Sequence, residues 1–341
     1  MSRSDEFLGN HTQSLSVGPL RLKGRAFLAP MAGVTDLGMR RLAQKFGAAL
    51  TVTEMLDSEF YAGGAREAAI RAEGAGIEPH VVQIAGCRPE PMAEAARCAE
   101  ASGAAMIDIN MGCPAKRVTG GAAGSALMRD PDLATRIIRA VLAAVHIPVS
   151  LKMRLGWDAA AMNAPELARR AEGEGIAMLT VHGRTRCQFY QGRADWSAIR
   201  EVRGTTSIPL VANGDCTSLE EASAMLAASG ADAVMVGRAA IGRPWFVGEV
   251  VRHLGKAPPR PGPSSAARCA AALEHYRTLL SLFGKERGLR HARKHLSAYA
   301  AWSRRRDAAE LRRRLVSSEN PTEVECLLAV LFDCEQPAVA A

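Results

Sequence analysis

The residues of this 341-residue chain best able to do chemistry stand at or just beyond the ends of short apolar runs: Gln83, Asn110, Cys113, Lys152, His182, Asn213-Gly214-Asp215 and Gly237-Arg238. Cys113 lies in Asn110-Met111-Gly112-Cys113-Pro114, where Gly and Pro fix a loop around a thiol. A cysteine keeps its proton at neutral pH, which suits a general acid acting at a carbon that has just received a hydride. Asn110 could hydrogen-bond a carbonyl or N–H of the substrate. The other reading of a cysteine, a small buried hydrophobe, fits Cys98 and Cys269 on apolar helical faces.

Lys152 offers a cation and Gln83 a hydrogen-bonding amide, the two things a flavin ring needs at its pyrimidine edge, where charge develops on reduction. Asn213-Gly214-Asp215 and Gly237-Arg238 fit a phosphate site, since glycine lets backbone approach closely and Arg238 adds a charge-assisted contact. Pro30-Met31-Ala32-Gly33 would lay backbone and a thioether against the ring. His182 could meet the flavin phosphate or the substrate.

These positions need a scaffold that delivers successive strand ends to one rim. Apolar, often β-branched runs recur at Ala26–Ala29, Ala49–Thr53, His80–Ile84, Ala105–Ile109, Pro148–Lys152, Ala177–Val181, Pro209–Ala212 and Ala233–Val236. Stretches of helical period alternate with them, among them Pro91–Ala101, Asp132–Val145, Ala164–Gly173 and Leu219–Ala228. Strand and helix alternating eight times predict an α/β protein, a (β/α)8 TIM barrel. A doubly wound sheet uses similar units, but here almost every run ends on a polar side chain or tight turn (Pro30-Met31, Glu54, Gln83, Asn110, Lys152, His182, Asn213, Gly237-Arg238), as barrel enzymes do at the rim that bears their sites.

Beyond Arg252, the Pro- and Gly-rich segment GKAPPRPGPSS reads as a linker. Helical patterns follow at Ser264–Phe283, Leu289–Trp302, Ala308–Val316 and Pro321–Phe332, predicting a small C-terminal α-helical bundle. The expected division is a tail over residues 1–16, a barrel over 17–252, a linker over 253–265, a basic helical domain over 266–333 and a tail over 334–341.

The net charge of +8 is concentrated in that bundle: from Arg252 to Val316 there are 16 Lys and Arg against 4 Asp and Glu. Arg290, Arg293 and Lys294 share one helix face, and Arg304-Arg305-Arg306 and Arg312-Arg313-Arg314 form runs, a pattern suited to a polyanion. The eight cysteines contain no C-x-x-C pair, so no metal and no disulfide framework is expected. The polar N-terminus and the lack of any long apolar run predict a cytoplasmic protein without a membrane partner.

APMAGVTD (Ala29–Asp36), QIAG (Gln83–Gly86), DINMGCPAKRV (Asp108–Val118), AGSAL (Ala123–Leu127), SLKMRLGW (Ser150–Trp157), VHGRTRCQFYQGRADW (Val181–Trp196), VANGD (Val211–Asp215), VGRAAIGRPW (Val236–Trp245) and GLRHARKHLSAY (Gly288–Tyr299) follow in order. Together they resemble the tRNA-dihydrouridine synthases, and within them the bacterial B-type branch. The resemblance runs from about Val17 to Trp302, short of the last helix.

It implies FMN held by Pro30, Met31, Ala32, Gln83, Lys152, Asn213, Gly214, Asp215, Gly237 and Arg238, with NADPH as reductant and tRNA as substrate. It implies Cys113 as proton donor to uracil, and Asn110, Arg154 and His182 near the base or the flavin. Arg290, Arg293 and Lys294 are the expected contacts to tRNA phosphates. Two other readings share parts of the pattern: an FMN-dependent reductase of a free pyrimidine, which gives the basic bundle no purpose, and a non-catalytic RNA-binding barrel, which gives Cys113 and Lys152 none.

Overall fold

A computed structural model describes residues 14–303 and 305–334. Eight parallel strands form the barrel: β1 (Ala26–Leu28), β2 (Leu50–Val52), β3 (His80–Ala85), β4 (Met106–Met111), β5 (Val149–Arg154), β6 (Met178–His182), β7 (Leu210–Asn213) and β8 (Ala233–Val236). Pairing of Val234 with Ala26 closes β8 onto β1. The strands are buried almost throughout, as expected of a parallel sheet covered by helices. A two-residue strand, Leu56–Asp57, adds to the outer part of β3, and a hairpin of Leu15–Val17 and Leu20–Leu22 precedes β1. The hairpin begins within the stretch expected as an N-terminal tail; the rest of that tail and residues 335–341 lie outside the described residues.

Register is what gathers the site. Asn110 lies opposite Lys152, Arg154 opposite His182, and His182 opposite Asn213. Because side chains alternate along a strand, Asp108 and Asn110, and likewise Ser150, Lys152 and Arg154, share one side.

The bundle holds its own core around Tyr276, Leu279, Tyr299, Val324 and Leu328, into which Trp245 from the barrel's last loop also packs. Its long helical stretch, Ser265–Ala301, is two helices in one line of chain, broken at Gly284, whose φ of 73° is left-handed. The helices Ala308–Ser317 and Pro321–Leu331 complete it.

Several bundle arginines expected to face a polyanion are occupied within the bundle. Arg314 pairs with Glu323 at 3.0 Å, Arg313 with Glu310, and Arg305 with Asp307 and Asp333, while Arg312 donates to Ser297. These runs bind helices to one another as well as carrying charge; Arg304 lies outside the described residues.

Barrel and bundle meet at a buried carboxylate. Asp36 caps the barrel's first helix, Leu37–Lys45, by accepting the Met39 N–H at 3.1 Å. The same carboxylate lies 3.1 Å from His275 Nε2 and 3.3 Å from His295 Nε2. The other nitrogen of His275 is 3.1 Å from the Tyr299 hydroxyl. Gly38 is part of the fit, since a Cβ there would fall 2.9 Å from the His275 ring. Among the described residues these three side chains alone form a group of metal-ligating types. Asp36 is already engaged with the helix N-terminus and His275, so the group is a joint between domains.

Burial pushes the Asp36 carboxyl up, but the charges and hydrogen bonds of His275 and His295 outweigh it and hold the group well below the usual carboxylate range. For His295, burial and then the neighbouring His275 push the imidazole down to about 4, against the pull of Asp36. Between about 4 and its ordinary value of 6.5, the unfolded chain therefore binds a proton at His295 that the folded chain does not. Stability must fall as pH drops through this window, by at most about 1.4 kcal/mol per pH unit from this group. Asp36 adds a further loss at lower pH, when its carboxylate is protonated. Melting temperature followed from pH 7 to pH 4 should show a shallower decline in His295→Asn than in the parent; parallel curves would remove His295 from the account.

Candidate active site

Pro30, Met31, Ala32, Gln83, Asn110, Cys113, Lys152, Arg154, His182, Asn213, Gly214, Asp215, Gly237 and Arg238 all line one cavity of about 810 Å³ at the C-terminal rim. The structure therefore brings together every barrel residue expected to hold flavin or base, while Gly33 and Glu54 of the same rim do not line the cavity. Arg290 and Arg293 do not line it; they are exposed on the bundle.

The floor is a hydrogen-bonded chain. Ser150 Oγ and Gln83 Nε2 both donate to Asp108, each at 2.6 Å, and Asn110 Nδ2 donates to Gln83 Oε1 at 2.8 Å. Burial raises the Asp108 carboxyl, and the two donors counter it. Gln83 is thus held by its neighbours at both ends of its amide, leaving one N–H and one lone pair for a ligand. Asn110 Oδ1 accepts the backbone N–H groups of Gly112 and Cys113 at 3.2 and 3.0 Å, so the asparagine also shapes the loop that carries the thiol.

That loop is fixed from two further sides. Ser125 donates its backbone N–H (3.1 Å) and hydroxyl (2.8 Å) to the Cys113 carbonyl, and Arg154 Nε donates to the Gly112 carbonyl at 2.8 Å. Gly124, at φ 60°, permits the first of these, since a Cβ would fall 2.9 Å from the Cys113 oxygen. Cys113 itself is a free, partly exposed thiol. Arg154 also donates to the Thr185 and Phe189 carbonyls at 2.8 Å, bracing the loop after β6.

Lys152 is buried and donates to Asn213 Oδ1 at 3.0 Å, while Asn213 donates to the Met235 carbonyl at 2.8 Å. Burial pushes the lysine down to about 8, partly offset by Asp108, so it stays protonated at neutral pH. At the β7 and β8 ends, Gly214 has φ 120°, and a Cβ there would lie 2.7 Å from Ala194 and 2.9 Å from His182. His182 is pushed well below its ordinary value, first by burial and then by Lys152, Arg154, Arg184 and Arg238. A neutral imidazole among four cations, with Asp215 as their carboxylate neighbour, suits a bound anion.

Arg184 was not foreseen as a site residue. Only 1% exposed, it pairs with Asp215 at 2.5 Å and donates to the Gln191 and Gly192 carbonyls. Asp215 also pairs with Arg238 at 3.1 Å. Burial raises the Asp215 carboxyl, but the Arg184 hydrogen bond, the Ala194 N–H and the two positive charges bring it below its ordinary value. The signal available was spacing: Arg184 stands two residues after His182 in HGRT. Tyr190, Arg243 and Trp302 also line the cavity and carried no assigned role.

Lys294 differs most from expectation. Its amine donates to the Gly33 carbonyl, while the Gly33 N–H donates to buried Glu54 at 2.5 Å. It clasps the Pro30–Gly33 loop instead of standing free for RNA.

The fit to FMN follows from these donors. The cavity has an anion-receptive end at Gly214, Gly237 and Arg238, and a buried cation and an amide near its floor. Its Met31 sulfur faces the open side of Gly237, 3.8 Å from where a Cβ would be. A buried cation that could meet the charge of a reduced flavin and a cationic end at the last two strands that could take a phosphate fit the class to which this barrel belongs, the flavin-dependent oxidoreductases.

A sequence profile described as dihydrouridine synthase (Dus) matches residues 27–335, taking in the last helix that the motifs had left out. The chain belongs to the dihydrouridine synthase family. It is 50% identical over 314 residues to a probable tRNA-dihydrouridine synthase of Rhizobium leguminosarum bv. phaseoli, covering 92% of this chain and 97% of the relative. It is 48% identical over 287 residues to tRNA-dihydrouridine synthase B of Xanthomonas axonopodis pv. citri (strain 306), covering 84% and 86%. Among solved structures, the old yellow enzyme homologue from Zymomonas mobilis superposes with a TM-score of 0.52 at 16% identity, covering 74% of this chain and 94% of that one, a likeness of fold.

Arg238 is 60% exposed, so Arg238→Glu should leave the fold intact while placing a carboxylate where a phosphate would bind. The purified variant should lack the flavin absorbance of the parent at unchanged melting temperature; full flavin occupancy would refute the phosphate pocket.

Proposed function

We propose that this protein is a cytoplasmic tRNA-dihydrouridine synthase that uses FMN reduced by NADPH to convert uridines of tRNA to 5,6-dihydrouridine. The observation that carries the reading is a free thiol, braced by Asn110, Arg154 and Ser125, in the same cavity as buried Lys152 and the cationic anion pocket. When bound, FMN supplies the hydride, taken from the nicotinamide and delivered to C6 of the uracil ring.

The chain's own residues do the rest. Cys113 Sγ–H gives its proton to C5, and the fixed loop keeps the thiol from rotating away. Asn110 keeps one amide N–H for a uracil carbonyl beyond its bond to Gln83. Lys152 holds positive charge at the cavity floor, where Asn213 directs its ammonium. Extracting the base from its stack is unfavourable by a few kcal/mol, which phosphate contacts from the bundle offset. Arg290 and Arg293 serve there, since both are exposed and have no carboxylate partner among the described residues. Their position favours tRNA over a free pyrimidine, which would never reach them.

Cys113→Ala should retain flavin and NADPH oxidation but lose at least about a hundredfold in dihydrouridine formation, consistent with loss of a general acid. Wild-type turnover of tRNA by this variant would exclude the thiol as donor. With Lys294 occupied at Gly33, the RNA test belongs to the two arginines. Each phosphate contact contributes about 0.7–0.9 to the slope of log K against log salt, so Arg290→Ala/Arg293→Ala should bind tRNA with a slope shallower by up to about two. Superimposable lines across the salt series would show that this face is not the RNA platform.

A further inference from the structure

Trp302 stands where the last turn of the long bundle helix meets the cavity mouth. It lines the same cavity as Cys113 and Lys152, yet it is 48% exposed. An aromatic ring this open on a protein surface is ordinarily mobile, but this one is held. Its indole N–H donates to the Ile241 carbonyl at 3.0 Å. The Arg243 guanidinium lies 4.0 Å from its ring centroid and 3.9 Å from that of Phe246, sandwiched between the two. Arg243 is anchored in turn to the Ala239 and Thr217 carbonyls at 2.6 and 2.8 Å. Gly242 lets the indole come this close, since a Cβ there would lie 2.9 Å from the Trp302 ring and 2.6 Å from the Ala298 carbonyl.

We propose that Trp302 is a stacking platform for the nucleobase next to the uridine being reduced, and so a positioning residue for the RNA substrate. The inference rests on the tRNA reading above. A rigid, half-open aromatic face backed by a cation is the combination with which proteins hold unpaired bases, because every base offers a π-face and the cation polarises the ring. Trp302 is twelve residues beyond Arg290 on one helix, about 18 Å along its axis. At about 100° per residue the indole stands roughly 120° round the helix from Arg290, so a strand bound to the basic face must wrap the helix to reach it as the target base enters the cavity. Tyr190, 53% exposed, lines the same cavity and has Arg154 and Arg238 within 5.5 and 5.2 Å of its ring.

Flavin-loaded full-length enzyme is assayed with tRNA lacking dihydrouridine, comparing the parent with Trp302→Phe and Trp302→Leu. Stacking predicts a graded series: KM for tRNA about tenfold higher in the leucine variant and within about threefold of the parent in the phenylalanine variant, at nearly constant kcat. An unchanged KM in Trp302→Leu would overturn the proposal. So would equal losses in both variants accompanied by lower melting temperatures, because phenylalanine keeps a π-face but not the N–H bond to Ile241. A parent enzyme that forms no dihydrouridine would instead overturn the tRNA reading itself, which separates the two failures.

Discussion

One buried carboxylate joins the parts of this molecule that must act together. Asp36 follows the loop that starts at Pro30, begins the first barrel helix, and receives two histidines from the bundle. Removing the partners of a buried carboxylate leaves its charge without compensation, a loss of about 3–5 kcal/mol, far more than a surface ion pair returns. The orientation of the helix that carries Arg290 and Arg293 therefore depends on an interaction that also sets the start of the barrel's first helix. Lys294, adjacent to His295, extends the joint to Gly33 and so to the wall of the cavity.

Within the cavity the recurring device is a polar side chain held by its neighbours before any ligand arrives. Asn110 illustrates it: one end of its amide fixes Gln83 and the other fixes the Cys113 loop. Such prior orientation lowers the reorganisation needed during the chemical step. The rim is also electrostatically one-sided, because Lys152, Arg154, Arg184 and Arg238 surround an imidazole kept neutral by them and by burial. A fold carrying that much like charge around one cavity is suited to an anion there.

The barrel was legible because each parallel strand, buried on both faces, writes itself as a short apolar run with a polar residue at its end. The same logic located Gln83, Asn110, Lys152 and Asn213. What stayed hidden depends on partners remote in the chain. Lys294 on a basic face reads as an RNA contact until its amine is found on a carbonyl 261 residues away. The arginines at 305 and 314 read as open charge until Asp333 and Glu323, 28 and 9 residues further on, come beside them. Arg184 escaped for a related reason: a buried arginine bound to carbonyls leaves no compositional trace, and only its distance from His182 hinted at its side of the strand. Trp302, alone at a helix end, carries no sign of its exposure or of Gly242 beneath it.

The approach of Gly242 to the Ala298 backbone has a mechanical meaning. With Asp36 and its histidines, and with Lys294 on the Gly33 carbonyl, it mounts the bundle on the barrel at three separate places, which opposes rotation of one part against the other. Any side chain at position 242 would push the end of the helix that bears Ala298 off the barrel, and so re-aim the whole mount.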